Sequence, residues 1–284
     1  MSSKTYINLH PGFDVLAATT AARLITRLVD VQNVRGEATV VLTGGTLGQA
    51  VLEAVAASKA RDAVNWRRVN FWWGDERFVP KDSPERNARQ AWDALLSHID
   101  VDPSRVHEFG ASDEFDSLEA AAQAYADELA RAAASERRYT EETNVERMPE
   151  VAAVSSAAQP NIDERLPIFD VLLLGMGPDA HVASLFPELA GIREKDKTVI
   201  YEYDAPKPPP ERLSLTLPAI NTAHQIWICV AGTDKAGAVG LALAGAGPVQ
   251  VPAAGVKAVD RTFWLIDQDA AAKVPRNLIY TQDN

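Results

Sequence analysis

Cysteine is almost missing from this sequence: Cys229 is the only one in 284 residues, and it lies in the apolar run QIWICVA. No intrachain disulfide can form, and a single cysteine of this kind packs as a small hydrophobe in a reducing compartment. Long apolar runs are missing too, since none approaches the ~18 residues that cross a bilayer. The opening MSSKTYINLHPGFDVL lacks the uninterrupted apolar core of a signal peptide. Together these absences predict a cytoplasmic chain with no membrane partner. Positive charge is in deficit, with 28 Lys and Arg against 39 Asp and Glu and a formal net charge of −11. That argues against a nucleic-acid partner, which favours a basic surface. A small anion can still bind, because charges beyond about 8 Å are screened at physiological salt. The five histidines and one cysteine show no metal-ligand spacing, which disfavours a metal mechanism. The GxSxG elbow, the GxxxxGK[ST] loop and the GxGxxG fingerprint are all missing, and there is no internal repeat.

What is present alternates strand-like and helix-like segments. A first edge strand is expected at 6–9, a helix at 13–29 and a strand at 38–42. A glycine turn follows at 43–46 and a helix at 47–57. Residues 68–73 read as a strand and 74–80 as a loop. Ser83-Pro84-Glu85-Arg86 carries the pattern of a helix start, with the helix running through Leu96. A further helix is expected at 117–131. Residues 132–165 are polar, mixed in charge and interrupted by Pro149 and Pro160, and read as a long surface excursion. Later strands are expected at 168–174, 198–203, 212–217, 225–231 and 263–267, with a helix at 234–243; Pro218 is an alternative helix start. The alternation predicts an α/β fold, a mostly parallel, doubly wound sheet, and one domain over 1–284 with the excursion at about 132–165.

Three places carry candidate chemistry. Thr43-Gly44-Gly45-Thr46 joins a strand to a helix, where glycines let a phosphate approach the backbone and the helix start supplies N–H donors. It lacks the spacing of the usual nucleotide loops, and taken alone it reads first as an ordinary tight turn. Asp75-Glu76-Arg77 ends an apolar strand, on the ligand side of such sheets. Arg77 could fork onto a phosphate, while Asp75 or Glu76 holds it or bonds a sugar hydroxyl; the alternative is a solvated charged turn. In FDVLLLGMGPDAHVASLFP (169–187) an apolar strand meets a glycine turn, and a helix is expected just beyond it. Neutral imidazole at His181 can take a proton from water, and Asp179 can fix its tautomer. Arg212 and Lys235 are candidate anion ligands beside predicted element starts.

With these residues in view, the chain resembles 6-phosphogluconolactonases. The resemblance rests on TGGT (43–46), GDERFVP with the later Asn87 (74–87), the 169–187 stretch, PPERLSLTLPAI (209–220) and GTDKAGAV (232–239), in that order. It implies a single-domain modified doubly wound sheet with helices on both faces, like that of glucosamine-6-phosphate deaminases and ribose-5-phosphate isomerases. It implies no cofactor, a sugar-phosphate lactone as substrate, and 6-phosphogluconate as product. His181 would be the general base and Asp179 would orient it. Arg77, Arg212 and Lys235 would bind the phosphate, with Asp75 beside them and Gly44, Gly45 and Thr46 lining the pocket. The family has glycine between the Asp and the His, where this chain has Ala180; a left-handed backbone there would cost an alanine about 1–2 kcal/mol and bears on where His181 sits. Two rivals remain: a deaminase of the glucosamine-6-phosphate type, whose histidine motif runs on into AFNEP rather than the ASLFPE seen here, and a sugar-phosphate sensor without turnover. Oligomeric state is not readable from the sequence.

Overall fold

The computed structural model describes residues 4–144, 163–275 and 278. The chain opens with β1 (Lys4–His10), α1 (Phe13–Arg35), β2 (Ala38–Leu42) and α2 (Gly45–Ala57). Next are β3 (Val69–Trp73), the short β4 (Asp75–Arg77), α3 (Asn87–Ala94) and α4 (Leu118–Asn144). Then follow β5 (Val171–Leu174), β6 (Val199–Glu202), β7 (Arg212–Leu215) and the one-turn α5 (Leu217–Ile220). The last elements are β8 (Gln225–Val230), α6 (Ala236–Leu243) and β9 (Arg261–Asp267).

Six strands pair in the order β1-β9-β8-β5-β2-β3, and every pair is parallel. Its inner strands β2, β5 and β8 are buried along their whole length, as expected of a parallel sheet covered on both faces. That is why they read as continuous apolar runs rather than alternating ones. From β2 the chain crosses to β3 on one side, whereas from β5 it moves on to β8 on the other. The carboxyl ends of β2 and β5 therefore face the crevice where strand order reverses, the usual ligand position in such sheets.

A second sheet, β4-β7-β6, is antiparallel, and the sequence reading did not foresee it. Gly74 is the joint: its N–H donates to the Leu42 carbonyl, while its own carbonyl accepts from the Leu215 N–H of the second sheet. Residues 74–80, read as a loop, thus contain β4. Strands expected at 198–203 and 212–217 exist, but in this smaller sheet. Ser214 is as buried as its leucine neighbours, so the apolar–polar alternation there marks an internal polar contact rather than a solvent face.

Other boundaries moved for identifiable reasons. Helix α1 runs past residue 29 until Gly36, whose φ of 82° and N–H bond to the Gln32 carbonyl close it in the common left-handed C-cap. Residues 132–144 were assigned to the surface excursion but continue α4, because the alanine- and glutamate-rich run favours helix and Ala133 packs inward. Of the rest of the excursion, 145–162 lies outside the described residues. The helix expected after Pro178 does not form. Ala180, Ala183 and Glu188 take positive φ values of 67°, 49° and 64°, so the chain winds as successive turns instead.

Candidate active site

Helix α2 begins at the end of β2 with Gly44 as its N-cap residue and no side-chain cap, so its first N–H groups face the crevice without a side-chain acceptor. Two physical demands explain the glycines. Gly45 has a φ of 81°, and a Cβ on Gly44 would lie 1.8 Å from Asn87 Oδ1. The Thr43 hydroxyl accepts from the Gly175 N–H at 3.4 Å, tying the turn after β2 to the turn after β5.

On the neighbouring side, β4 delivers three charged residues with three different jobs. Glu76 is fully buried, and its carboxylate accepts from the backbone N–H groups of Arg77, Asn87 and Ala88. It therefore caps α3 from a distance, where the sequence suggested a start at Ser83. Burial pushes its carboxyl up to about 7, against the pull of Arg86 and those three N–H donors. Asp75 accepts from the Ser184 hydroxyl at 2.8 Å and from Asn87 Nδ2 at 3.3 Å. Arg77 donates to the Glu85 carbonyl, while its Nε is buried without a hydrogen-bond partner.

The turn after β5 holds the histidine. His181 Nδ1 lies 2.6 Å from Asp179 Oδ1, and the His181 ring packs against Phe186 with centroids 4.7 Å apart. Burial raises the Asp179 carboxyl, but the bond to His181 and the charges of His181 and Lys207 overcome it and bring it down to about 2. Asp179 is therefore an anion across the neutral range, and it accepts from an Nδ1–H tautomer, which leaves the Nε2 lone pair free. Gly177 makes the turn possible, since a Cβ there would sit 2.2 Å from the imidazole. Ala180 does occupy the left-handed region, yet its N–H reaches the Gly177 carbonyl and Gly177 N–H reaches the His181 carbonyl. The strained turn is closed by its own hydrogen bonds.

These parts enclose a cavity of about 390 Å³, lined by Gly44, Gly45, Thr46, Asp75, Arg77 and His181, and also by Arg212 and Lys235. Eight of the nine predicted site residues thus line one cavity; the ninth, Asp179, stands behind His181. Arg212 is buried and donates to the carbonyls of Lys207, Pro208 and Pro209. Burial lowers its pKa and Asp75 offsets part of that shift. Lys235 Nζ bonds the Ala231 carbonyl and Asp234. Sequence reasoning missed Lys207, which lines the cavity with Nζ 3.9 Å from Asp179 Oδ1; its one signal was its position before the rigid proline run. It also gave no role to Ser184, three residues beyond the histidine. Cys229 reaches the cavity wall, but burial pushes its thiol up to about 12, so it offers no thiolate nucleophile. Among the described residues no cluster of three or more His, Cys, Asp or Glu is placed to hold a metal ion.

Known proteins resemble this chain in sequence and fold. The sequence pattern of the glucosamine-6-phosphate isomerases/6-phosphogluconolactonase family matches residues 12–264. A 6-phosphogluconolactonase of Streptomyces coelicolor is 50% identical over 280 residues, 98% of each chain. One of Mycobacterium tuberculosis is 41% identical over 271 residues, 95% of this chain and 98% of the relative. Among solved structures, the 6-phosphogluconolactonase of Thermotoga maritima superposes with a TM-score of 0.71 at 26% identity, covering 93% of this chain and 100% of that one. The Trypanosoma brucei 6-phosphogluconolactonase, at 23% identity and a TM-score of 0.73 over 96% of this chain and all of its own, shares the fold. The chain belongs to the glucosamine-6-phosphate isomerase/6-phosphogluconolactonase family.

Proposed function

We propose that this chain is a lactone hydrolase that converts 6-phospho-D-glucono-1,5-lactone to 6-phospho-D-gluconate, in the oxidative pentose phosphate pathway of the cytoplasm. Near-full-length identity to 6-phosphogluconolactonases supports the activity. The observation that carries the chemistry is the 2.6 Å pair of Asp179 and His181 at a cavity that also holds Arg77, Arg212 and Lys235. No helix among the described residues is long and apolar enough to cross a membrane.

The lactone phosphate lies against Arg77, Arg212 and Lys235 and the start of α2, where cationic side chains and unpaired N–H groups favour an anion. The buried, unpartnered Nε of Arg77 is a donor that such an anion satisfies. With the phosphate fixed, the C1 carbonyl is presented to His181. Nε2 of His181 takes a proton from a water molecule as the water oxygen bonds to C1, and the carbonyl electrons move to oxygen. Collapse of this tetrahedral species breaks the bond from C1 to the ring oxygen, and His181 returns the proton to that oxygen. The acid formed then loses a proton to solvent. Asp179 keeps the imidazole in the productive tautomer and stabilises the imidazolium that forms in between. A lactone is already an activated ester, so no covalent nucleophile is needed.

Proton release from freshly made lactone, read against the spontaneous rate, tests this. His181→Ala is expected to lower kcat by about 10²-fold or more, and phosphate-free gluconolactone is expected to be a poor substrate. A His181→Ala variant with undiminished kcat would remove the histidine from this role, and release of ammonia from glucosamine 6-phosphate would favour the deaminase chemistry instead.

A further inference from the structure

We propose that Asp75 and Ser184 are positioning residues for His181: Asp75 fastens the strained histidine turn to the second sheet through the Ser184 hydroxyl. This rests on His181 acting as the base. Ala180 and Ala183, on either side of the histidine, are both left-handed. Each costs about 1–2 kcal/mol in that region, so the hydrogen bonds within the turn need support from contacts outside it to hold its shape. Hydrogen bonds to other parts of the chain supply that support. The Ala180 carbonyl accepts from the Ala253 N–H, and the Glu188 N–H donates to the Val249 carbonyl, so both of these partners come from the 249–253 segment. Toward the second sheet the tie is made by Ser184, whose hydroxyl donates to Asp75 Oδ2 at 2.8 Å and whose N–H donates to Ser214 Oγ at 3.2 Å.

Asp75 and Ser214 are directly opposite one another in the β4–β7 ladder, so Ser184 is held from two adjacent strands at once. All three residues are buried, where a polar contact is retained rather than exchanged with water. The other oxygen of Asp75, together with its carbonyl, accepts from Asn87 Nδ2, and Asn87 lies against Gly44. One carboxylate therefore joins the histidine turn to the glycine turn. Both of its oxygens are engaged by protein donors, so its part in the reaction is to set the distance between base and anion site. The sequence alone suggested instead a contact to Arg77 or to a sugar hydroxyl.

Ser184→Ala removes the tie without touching the cavity wall. The expected result is a fall in kcat of about ten-fold, as for a small misplacement of a reacting group, with KM changed by less than about two-fold. The pH profile of kcat and the imidazole NMR signal of His181, assigned by its loss in His181→Ala, should both move. Ser184→Cys keeps the volume with a weaker donor and should fall between the two, which guards against a variant that fails to fold. Adding Asp75→Asn to Ser184→Ala should lower kcat little further than the lower single variant. An unchanged kcat with an unmoved His181 signal, or losses confined to KM, would overturn the proposal while an inactive His181→Ala leaves the base reading intact. Full kcat in His181→Ala would instead remove the base reading, and this inference with it.

Discussion

The imidazole of His181 occupies the space where residue 177 would otherwise carry a side chain. A Cβ there would stand 2.2 Å from both Cε1 and Nδ1 and 2.4 Å from Asp179 Oδ1, closer than real contacts allow. Gly177→Ala must therefore displace the Asp179–His181 pair, and kcat should fall by about 10²-fold while the buried strands keep the fold intact. Ala180 is the opposite case. Its φ of 67° strains an alanine, and glycine relieves that at the cost of about 0.5–1 kcal/mol in the unfolded chain. Ala180→Gly should thus shift stability by no more than about 1 kcal/mol, in the stabilising direction, with kcat unchanged; urea unfolding and the lactone assay read both. A large loss of activity would mean that the alanine side chain, buried against the core, itself holds the turn.

At the scale of elements, the site depends on a carboxylate that binds no ligand. Glu76 of β4 accepts the first N–H groups of α3, and α3 carries Asn87 to Gly44 and Asp75. Glu76→Ala leaves those buried N–H donors without their acceptor. Arg86 keeps its bonds to the Phe109 and Gly110 carbonyls but loses its 3.9 Å ionic neighbour. The change should cost about 3 kcal/mol or more. Urea unfolding should show it, and KM should rise as Asn87 drifts from the glycine turn. Elements of this kind were the least legible in the sequence. Strands β2, β5 and β8 could be read because burial on both faces writes itself as an unbroken apolar run. The site could be read because each of its loops follows such a strand. Strand β4 could not, since Asp75-Glu76-Arg77 looks like a solvated turn until β7, more than a hundred residues later, pairs with it. The start of α3 was misplaced for the same reason: its cap comes from Glu76 rather than from the local Ser83. The missing helix after Pro178 shows the converse, a helical apolar pattern overridden by a backbone shaped to present His181.

For the molecule as a whole, the buried carboxyls set opposing dependences on pH. Burial holds Glu76 and Glu136 up to about 7 in the fold, against about 4.3 for an exposed glutamate. A raised carboxyl means that the folded state binds the proton more tightly than the unfolded chain does. The stability it contributes is complete below the unfolded value and is lost as pH rises through the folded one. Asp179 runs the other way: its carboxyl is held at about 2, so its contribution is present above about 4 and disappears as pH falls through the folded value. Between them these three groups contribute most stability near pH 4–5 and less toward pH 7, and the burial-lowered pKa of His107 opposes part of that decline. Urea midpoints measured from pH 4 to 8 check the sign, and Glu76→Gln, which cannot titrate, should flatten the decline between pH 5 and 7. A midpoint that rises steadily to pH 7 in both proteins would mean that the three N–H donors and Arg86 outweigh burial, and that Glu76 is an anion throughout.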